Sequence, residues 1–408
     1  MSDPENTIIK KDFDCTYTDC LPELLGELGI SVAFTSYQAS RLMLVRTDGE
    51  EIDINFKHFP RPMGLSYTGS ELTLGTFSQI INFKREDALL PQIKDDLAPI
   101  EQDITAPRAK SKHEQNKEEA VPLELTDEQR AQIEQQNQQI KQRQAQLHKA
   151  VDPRTDSCFI TRSSHYSGMI NIHDIAWGNG QLWAVNSSFS CLCTFNPDYS
   201  FEPYWKPYFI SQLEPEDRCH LNGMTLRDGK PAFVTTFSTF DEPGKWRDGD
   251  KFNGTLMSVA ENRILVDGLA MPHSPRWYND KVYFCNSGHG EVKTYCEKTQ
   301  SVDTLIELPG FTRGVDFYGS LMVVGLSKVR QSDVTKPAPL AKKYDETYSG
   351  LAFINLDTNE LIGLLSFTGN VDQVYDVAII HDSTFPEIIE PSNPRLRNHF
   401  IYPSSTHL

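Results

Sequence analysis

The chain has 408 residues, with 39 Lys+Arg against 56 Asp+Glu and a formal net charge of −17. A surplus of that sign repels phosphate backbones and argues against nucleic-acid binding, and no run has the length and apolarity of a membrane span. The opening MSDPENTIIKKDFDC lacks the apolar stretch of a secretory signal, and the 8 cysteines form no CxxC pair, so a cytoplasmic protein with reduced thiols and no zinc finger is expected.

In chain order, residues 1–29 read as an N-terminal tail. Residues 30–86 carry strand-like runs such as LMLVR and LTLGTF, broken by turn signals such as Asp48-Gly49. Residues 87–155 differ. Nine of the eighteen residues from Gln129 to Gln146 are glutamine, and Thr126 with Gln129 has the spacing of a capping box. Ile133, Ile140 and Leu147 make a single apolar ridge, too thin for a coiled coil. This stretch is expected to be an insertion, a disordered linker and then a solvated helix over 126–149. A protein partner docking on that helix is the alternative to an inert insertion. Strand-like runs resume over 156–385, with turns at Gly178-Asn179-Gly180, Asp228-Gly229 and Asn279-Asp280. Residues 386–408 read as a C-terminal tail.

Six heptapeptides stand just before apolar strands and align without gaps. They begin at Arg61, Asn171, His220, Met271, Phe311 and Gln373. Their fourth residues are Gly64, Asp174, Gly223, Ser274, Gly314 and Asp376, small or turn-forming throughout. Their third residues are Met63, His173, Asn222, His273, Arg313 and Tyr375. Once an insertion of about 65 residues is set aside, the repeat recurs about every 40 to 60 residues, the spacing of propeller blades. An all-β propeller of about six blades is predicted. The last unit lacks a clear second strand, and residues 30–57 supply strands with no heptapeptide. The sixth blade is therefore expected to close with strands from both chain ends.

In such a ring the starts of first strands and the ends of second strands meet at one axial face. His173, His220 and His273 offer imidazole nitrogens there, suited to Zn, Fe or Cu. Arg313 can pair with an anionic group, and Tyr375 and Asp376 stand beside it as catalytic candidates with Arg313. Asn222, Asn186, Asn286, Ser287 and His289 are candidate ligand-binding residues, while Asp174 can ligate or orient an imidazole. Lys328 and Arg330 near the rim would extend an anion patch. Polar residues that only hydrogen-bond blade backbones are the competing explanation. Cys219 is expected to be a buried structural thiol.

The strings RPMGL (61–65), VNSSFSCL (185–192), EDRCHLNGM (216–224), MPHSPRWY (271–278), LPGFTRGVDF (308–317) and VGLSKVR (324–330) resemble those of a bacterial conserved-hypothetical family containing a propeller-like domain. The resemblance covers roughly 25–84 and 155–380; it implies the fold but lends no reaction. Propeller enzymes that hold zinc or iron on axial histidines are a looser, fold-level analogy.

Two functions stay open from the sequence. One is an enzyme, with or without a divalent transition metal, acting on a small or peptidyl anionic substrate at the axis. The other is a non-catalytic propeller binding a peptide or protein partner at the same face.

Overall fold

Each heptapeptide leads into the first strand of an antiparallel sheet, and the next apolar run supplies the second. The computed structural model describes residues 13–96, 126–248, 252–329 and 338–402, and within them six such sheets form. The first strands are Leu65–Tyr67, Ile172–Gly178, Leu221–Arg227, Pro272–Tyr278, Phe311–Tyr318 and Val377–His381, here the inner strands of blades 1 to 6. Each contacts the inner strand of the next blade, and that of blade 6 contacts that of blade 1. The ring is a six-bladed propeller.

Hairpins join the inner strands to the second strands with tight geometry. Asn179-Gly180, Asp228-Gly229 and Asn279-Asp280 have positive φ at both positions, from 46° to 74°. That is the type I′ turn whose twist matches the flanking strands. Apolar side chains from facing sheets fill the spaces between blades. Phe34 of blade 6, for example, packs in one cluster with Phe353 and Phe367 of blade 5, all 2% exposed or less.

Blade 6 is assembled from both ends of the chain, as expected. Its inner strand pairs antiparallel with Ile30–Ser36, from Ile30 opposite His381 to Phe34 opposite Val377, and Arg41–Thr47 and Ile52–His58 follow outward. The two expected tails contribute further. Cys15–Tyr17 adds an outer strand to blade 5, and Pro386–Ile389 runs parallel to Ser157–Tyr166 in blade 1. Arg46 of blade 6 holds Glu387 at 3.0 Å, fixing the second addition.

The fourth place of the heptapeptides alternates around the ring. Blades 2, 4 and 6 place Asp174, Ser274 and Asp376 there, each accepting a backbone N–H from the next blade: Met224 at 3.0 Å, Gly314 at 2.9 Å and Leu65 at 2.9 Å. Blades 1, 3 and 5 place glycine there. A Cβ on Gly223 would stand 2.4 Å from Pro275 Cδ, and one on Gly314 2.9 Å from Asp376 Cα, with Gly314 also at φ +76°. Space between inner strands is short, so only every second blade contributes a side chain.

The segment expected as an insertion divides. Leu89 and Ile93 are fully buried against Cys158, Ile160 and Ile389, so residues up to about 93 belong to the packed body. The helix Asp127–His148 starts where the capping box puts it: Thr126 N donates to Gln129 Oε1 at 3.0 Å and Gln129 N to Thr126 Oγ1 at 3.2 Å. Its described side chains are exposed. The expected linker at 97–125 lies outside the described residues. Among the described residues no helix is long and apolar enough to cross a membrane.

Candidate functional site

A cavity of about 310 Å³ opens at one end of the axis. All six first places of the heptapeptides line it: Arg61, Asn171, His220, Met271, Phe311 and Gln373. So do five third places: Met63, His173, His273, Arg313 and Tyr375. Arg61, Asn171, His220 and Met271 share a left-handed φ of 47° to 52°. The sharp entry they make into the inner strand exposes both places to the same space.

Asn222 is the exception. Asn222 does not line the cavity; its Oδ1 accepts from Thr235 Oγ1 on the neighbouring strand at 2.7 Å. Its buried Nδ2 has no hydrogen-bond partner.

His173 and His273 are held in the same way. His173 Nδ1 lies 2.9 Å from the Asn171 carbonyl and 2.7 Å from Ser187 Oγ. His273 Nδ1 lies 2.9 Å from the Met271 carbonyl and 2.8 Å from Ser287 Oγ. Each serine hydroxyl donates onward, to the carbonyls of Leu221 and Thr312 in the next blade. Burial, reinforced by His220 and by Arg313, holds both imidazoles well below the usual histidine range.

His220 is positioned by a carboxylate. Its Nδ1 is 3.0 Å from Asp217 Oδ1, and its ring stacks on Trp246 with centroids 3.9 Å apart. The rings of His173 and His220 meet edge to face at 4.7 Å. Burial alone would push the Asp217 carboxyl up, but His220, His173 and Arg247 bring it down to about 2. Arg247 Nη2 lies 2.7 Å from Asp217 Oδ2.

Arg313 stands across the cavity. Its guanidinium carbon sits 3.8 Å from the centroid of the Tyr375 ring, and the side chain is 9% exposed. Arg313 Nε and the Tyr375 hydroxyl are buried and make no hydrogen bond of good geometry, although the guanidinium and the phenol interact with each other. Among the described residues no carboxylate pairs with Arg313. Burial lowers its affinity for a proton and raises the Tyr375 phenol, which stays protonated. With Arg61, Arg247 and Lys328 on the rim, the cavity collects cations on a strongly acidic chain.

Several expected residues lie elsewhere. Asp174 and Asp376 do not line the cavity; both clamp Arg276, at 2.8 Å and 3.1 Å, besides accepting backbone N–H groups. They occupy the fourth place, and side chains of successive strand residues turn to opposite sides. Asn186 accepts from the Phe189 N–H, and Asn286 bridges the Ala270 N–H and Glu291, so both shape turns outside the lining. Ser287 acts only through His273, and His289 is exposed and outside the lining. Lys328 lines the rim and pairs with Asp372 at 3.1 Å, while Arg330 lies outside the described residues. Cys219 is fully buried, its thiol pushed up to about 12.

Trp246, Arg247, Phe237, Tyr37 and Ala338 line the cavity without having been singled out in the sequence. Trp246 and Arg247 stand between the second and third strands of blade 3, where no period marks a residue. Among the described residues no group of three or more His, Cys, Asp or Glu has the geometry to hold a metal ion.

Fold and cavity together define a six-bladed β-propeller with a cationic, imidazole-walled pocket at one end of its axis. The chain belongs to the family described as Domain of unknown function (DUF4915), which matches residues 19–109 and 105–389. No curated protein matches it. It is similar to solved structures at the level of fold. A crystal structure of a nidogen/laminin complex has 8% identity and a TM-score of 0.47, covering 87% of this chain and 99% of that one. A protein of unknown function from Bacteroides caccae has 7% identity and a TM-score of 0.42, covering 86% and 98%. Virginiamycin B lyase from Staphylococcus aureus has 9% identity and a TM-score of 0.36, covering 72% and 73%.

Proposed function

We propose that the axial cavity binds a small organic anion, with Arg313 as the group that receives its charge. The observation that carries this reading is a buried guanidinium facing the cavity with no carboxylate partner among the described residues. An uncompensated buried ion costs several kcal/mol. Such a cost is retained where a ligand supplies the missing charge and hydrogen bonds. Tyr375 stacks on one face of the guanidinium, leaving its edge for a two-oxygen contact with a carboxylate. Arg61, which lines the cavity with no carboxylate partner among the described residues, raises the local concentration of anions. A volume of about 310 Å³ suits a small molecule better than a length of peptide.

The test is calorimetric titration of small carboxylates into wild type and Arg313→Met. Binding to wild type and a loss of at least about tenfold in the variant are expected, since a charge-assisted hydrogen bond is worth about 1.5–3 kcal/mol. Equal binding to both proteins overturns the role of Arg313. Elemental analysis of protein purified without a tag decides the metal-centred alternative. A stoichiometric transition metal, lost in both His173→Ala and His273→Ala, would make the histidines ligands and the site a metal centre.

A further inference from the structure

We infer that the ligand of the axial cavity is a polyhydroxylated carboxylate, an acid of the sugar type, whose hydroxyls donate to His173 and His273. This deepens the anion-binding reading and rests on it. The argument begins with the serines. A hydroxyl has one hydrogen, and Ser187 spends it on the Leu221 carbonyl while Ser287 spends it on the Thr312 carbonyl. Towards the imidazoles their oxygens accept. The second neighbour of each Nδ1 is also an acceptor, the carbonyl two residues back. Two acceptors around one ring nitrogen require that nitrogen to carry the proton. Nε2 is then the unprotonated nitrogen, an acceptor that no described protein donor engages.

The device occurs twice, in blades 2 and 4, with the same partners at nearly the same distances. It fixes the hydrogen-bond sense of the cavity wall before any ligand arrives. Both residues line the cavity with Arg313, so a fitting ligand accepts from the guanidinium and donates to the imidazoles. A plain aliphatic or keto acid has the first property and lacks the second. An amino acid has donors, but its ammonium would meet Arg313 and Arg61, and the lining carboxylate, Asp217, is already engaged by His220 and Arg247. Hydroxyls donate without charge, and the aromatic walls Phe237, Trp246 and Phe311 suit the C–H faces between them.

The experiment has two arms. Gluconate, glucuronate and galacturonate are titrated against the matched acids hexanoate and adipate. At least one sugar acid is expected to bind about tenfold or more tighter than both plain acids, because unpaired acceptors penalise a ligand without donors. In the second arm, nitrogen NMR of histidine-labelled protein is expected to show Nε2 unprotonated in His173 and His273. In Ser187→Ala and Ser287→Ala the same tautomer should persist, because the Asn171 and Met271 carbonyls still accept from Nδ1. Equal binding of sugar and plain acids overturns this inference and leaves the anion reading standing. Failure of all five acids to bind overturns both. A protonated Nε2 in the free protein overturns the inference whatever the titrations give.

Discussion

Arg276 Nη1 lies 2.8 Å from Asp174 Oδ2, and the same guanidinium reaches Asp376 Oδ1 at 3.1 Å, so one side chain ties blades 2, 4 and 6 together beneath the axial cavity. Its Nε also donates to the Val315 carbonyl at 3.1 Å and its Nη1 to Met224 O at 3.3 Å, adding blades 5 and 3. Both carboxylates in turn hold backbone N–H groups of neighbouring inner strands. The arrangement works as a floor: one guanidinium is shared by two carboxylates, and neither carboxylate lines the cavity above.

Removing Arg276 strands two buried carboxylates. Arg276→Met is expected to cost about 3–5 kcal/mol, the usual consequence of breaking a buried pair from one side. Urea unfolding should therefore show a clearly lowered midpoint. Adding Asp174→Asn and Asp376→Asn should recover part of the loss, since neutral amides no longer need the cation. A single variant as stable as wild type would show the cluster to be dispensable.

Ring closure makes a second expectation. Val377–His381 pairs on one side with Ile30–Ser36, which no other segment replaces. Deleting residues 1–58 removes the three outer strands of blade 6 and leaves an open edge beside an uncovered apolar face. The product should be insoluble or aggregate on concentration. A monomeric, cooperatively unfolding deletion variant would show that the remaining five sheets hold the ring alone.

The insertion offers a graded test. Ala150 N donates to Asp96 Oδ1 at 2.7 Å, so the two ends of the removable stretch are already adjacent. Joining 96 to 150 through a short Gly/Ser linker should leave the thermal midpoint within a few degrees. Leu89→Ala and Ile93→Ala should each cost about 2–5 kcal/mol, because both side chains are fully buried under blade 1. Equal effects from linker and point variants would mean that the exposed helix also carries packing energy.

The ring was legible because six inner strands meet the same local demands, and the heptapeptides record them. The first place takes a left-handed turn in four blades; the third faces the axis; the fourth must fit a narrow space. That record brought His173, His220, His273, Arg313 and Tyr375 to one cavity in the sequence reading. It misled at Asp376, where a fourth-place carboxylate looked reactive but answers a backbone N–H and Arg276. It misled at Asn222, whose short amide is held by Thr235 on the neighbouring strand, a contact between residues 13 apart that the heptapeptide does not record. Trp246 and Arg247 were illegible for another reason: they lie in a long connection, and only the folded chain brings them over His220.

The buried imidazoles make stability depend on pH with a definite sign. Burial, with His220 and Arg313 close by, holds His173 and His273 well below the ordinary 6.5. Above about pH 6.5 both are neutral in folded and unfolded chains and contribute nothing. As pH falls below that value the unfolded chain takes up protons that the folded one refuses, so stability declines. Each histidine contributes a slope of up to about 1.4 kcal/mol per pH unit. Burial raises Asp376, despite Arg276, so its sign is opposite: the folded chain binds the extra proton. Its share works against the histidines as the pH falls towards the ordinary carboxylate range. Urea midpoints measured from pH 7.5 to pH 5.0 should fall in wild type. In the double variant His173→Asn, His273→Asn the fall should be markedly shallower, because two groups that refuse protons are gone. Parallel slopes in the two proteins would mean that the imidazoles take up protons in place, with the axial cavity accommodating their charge.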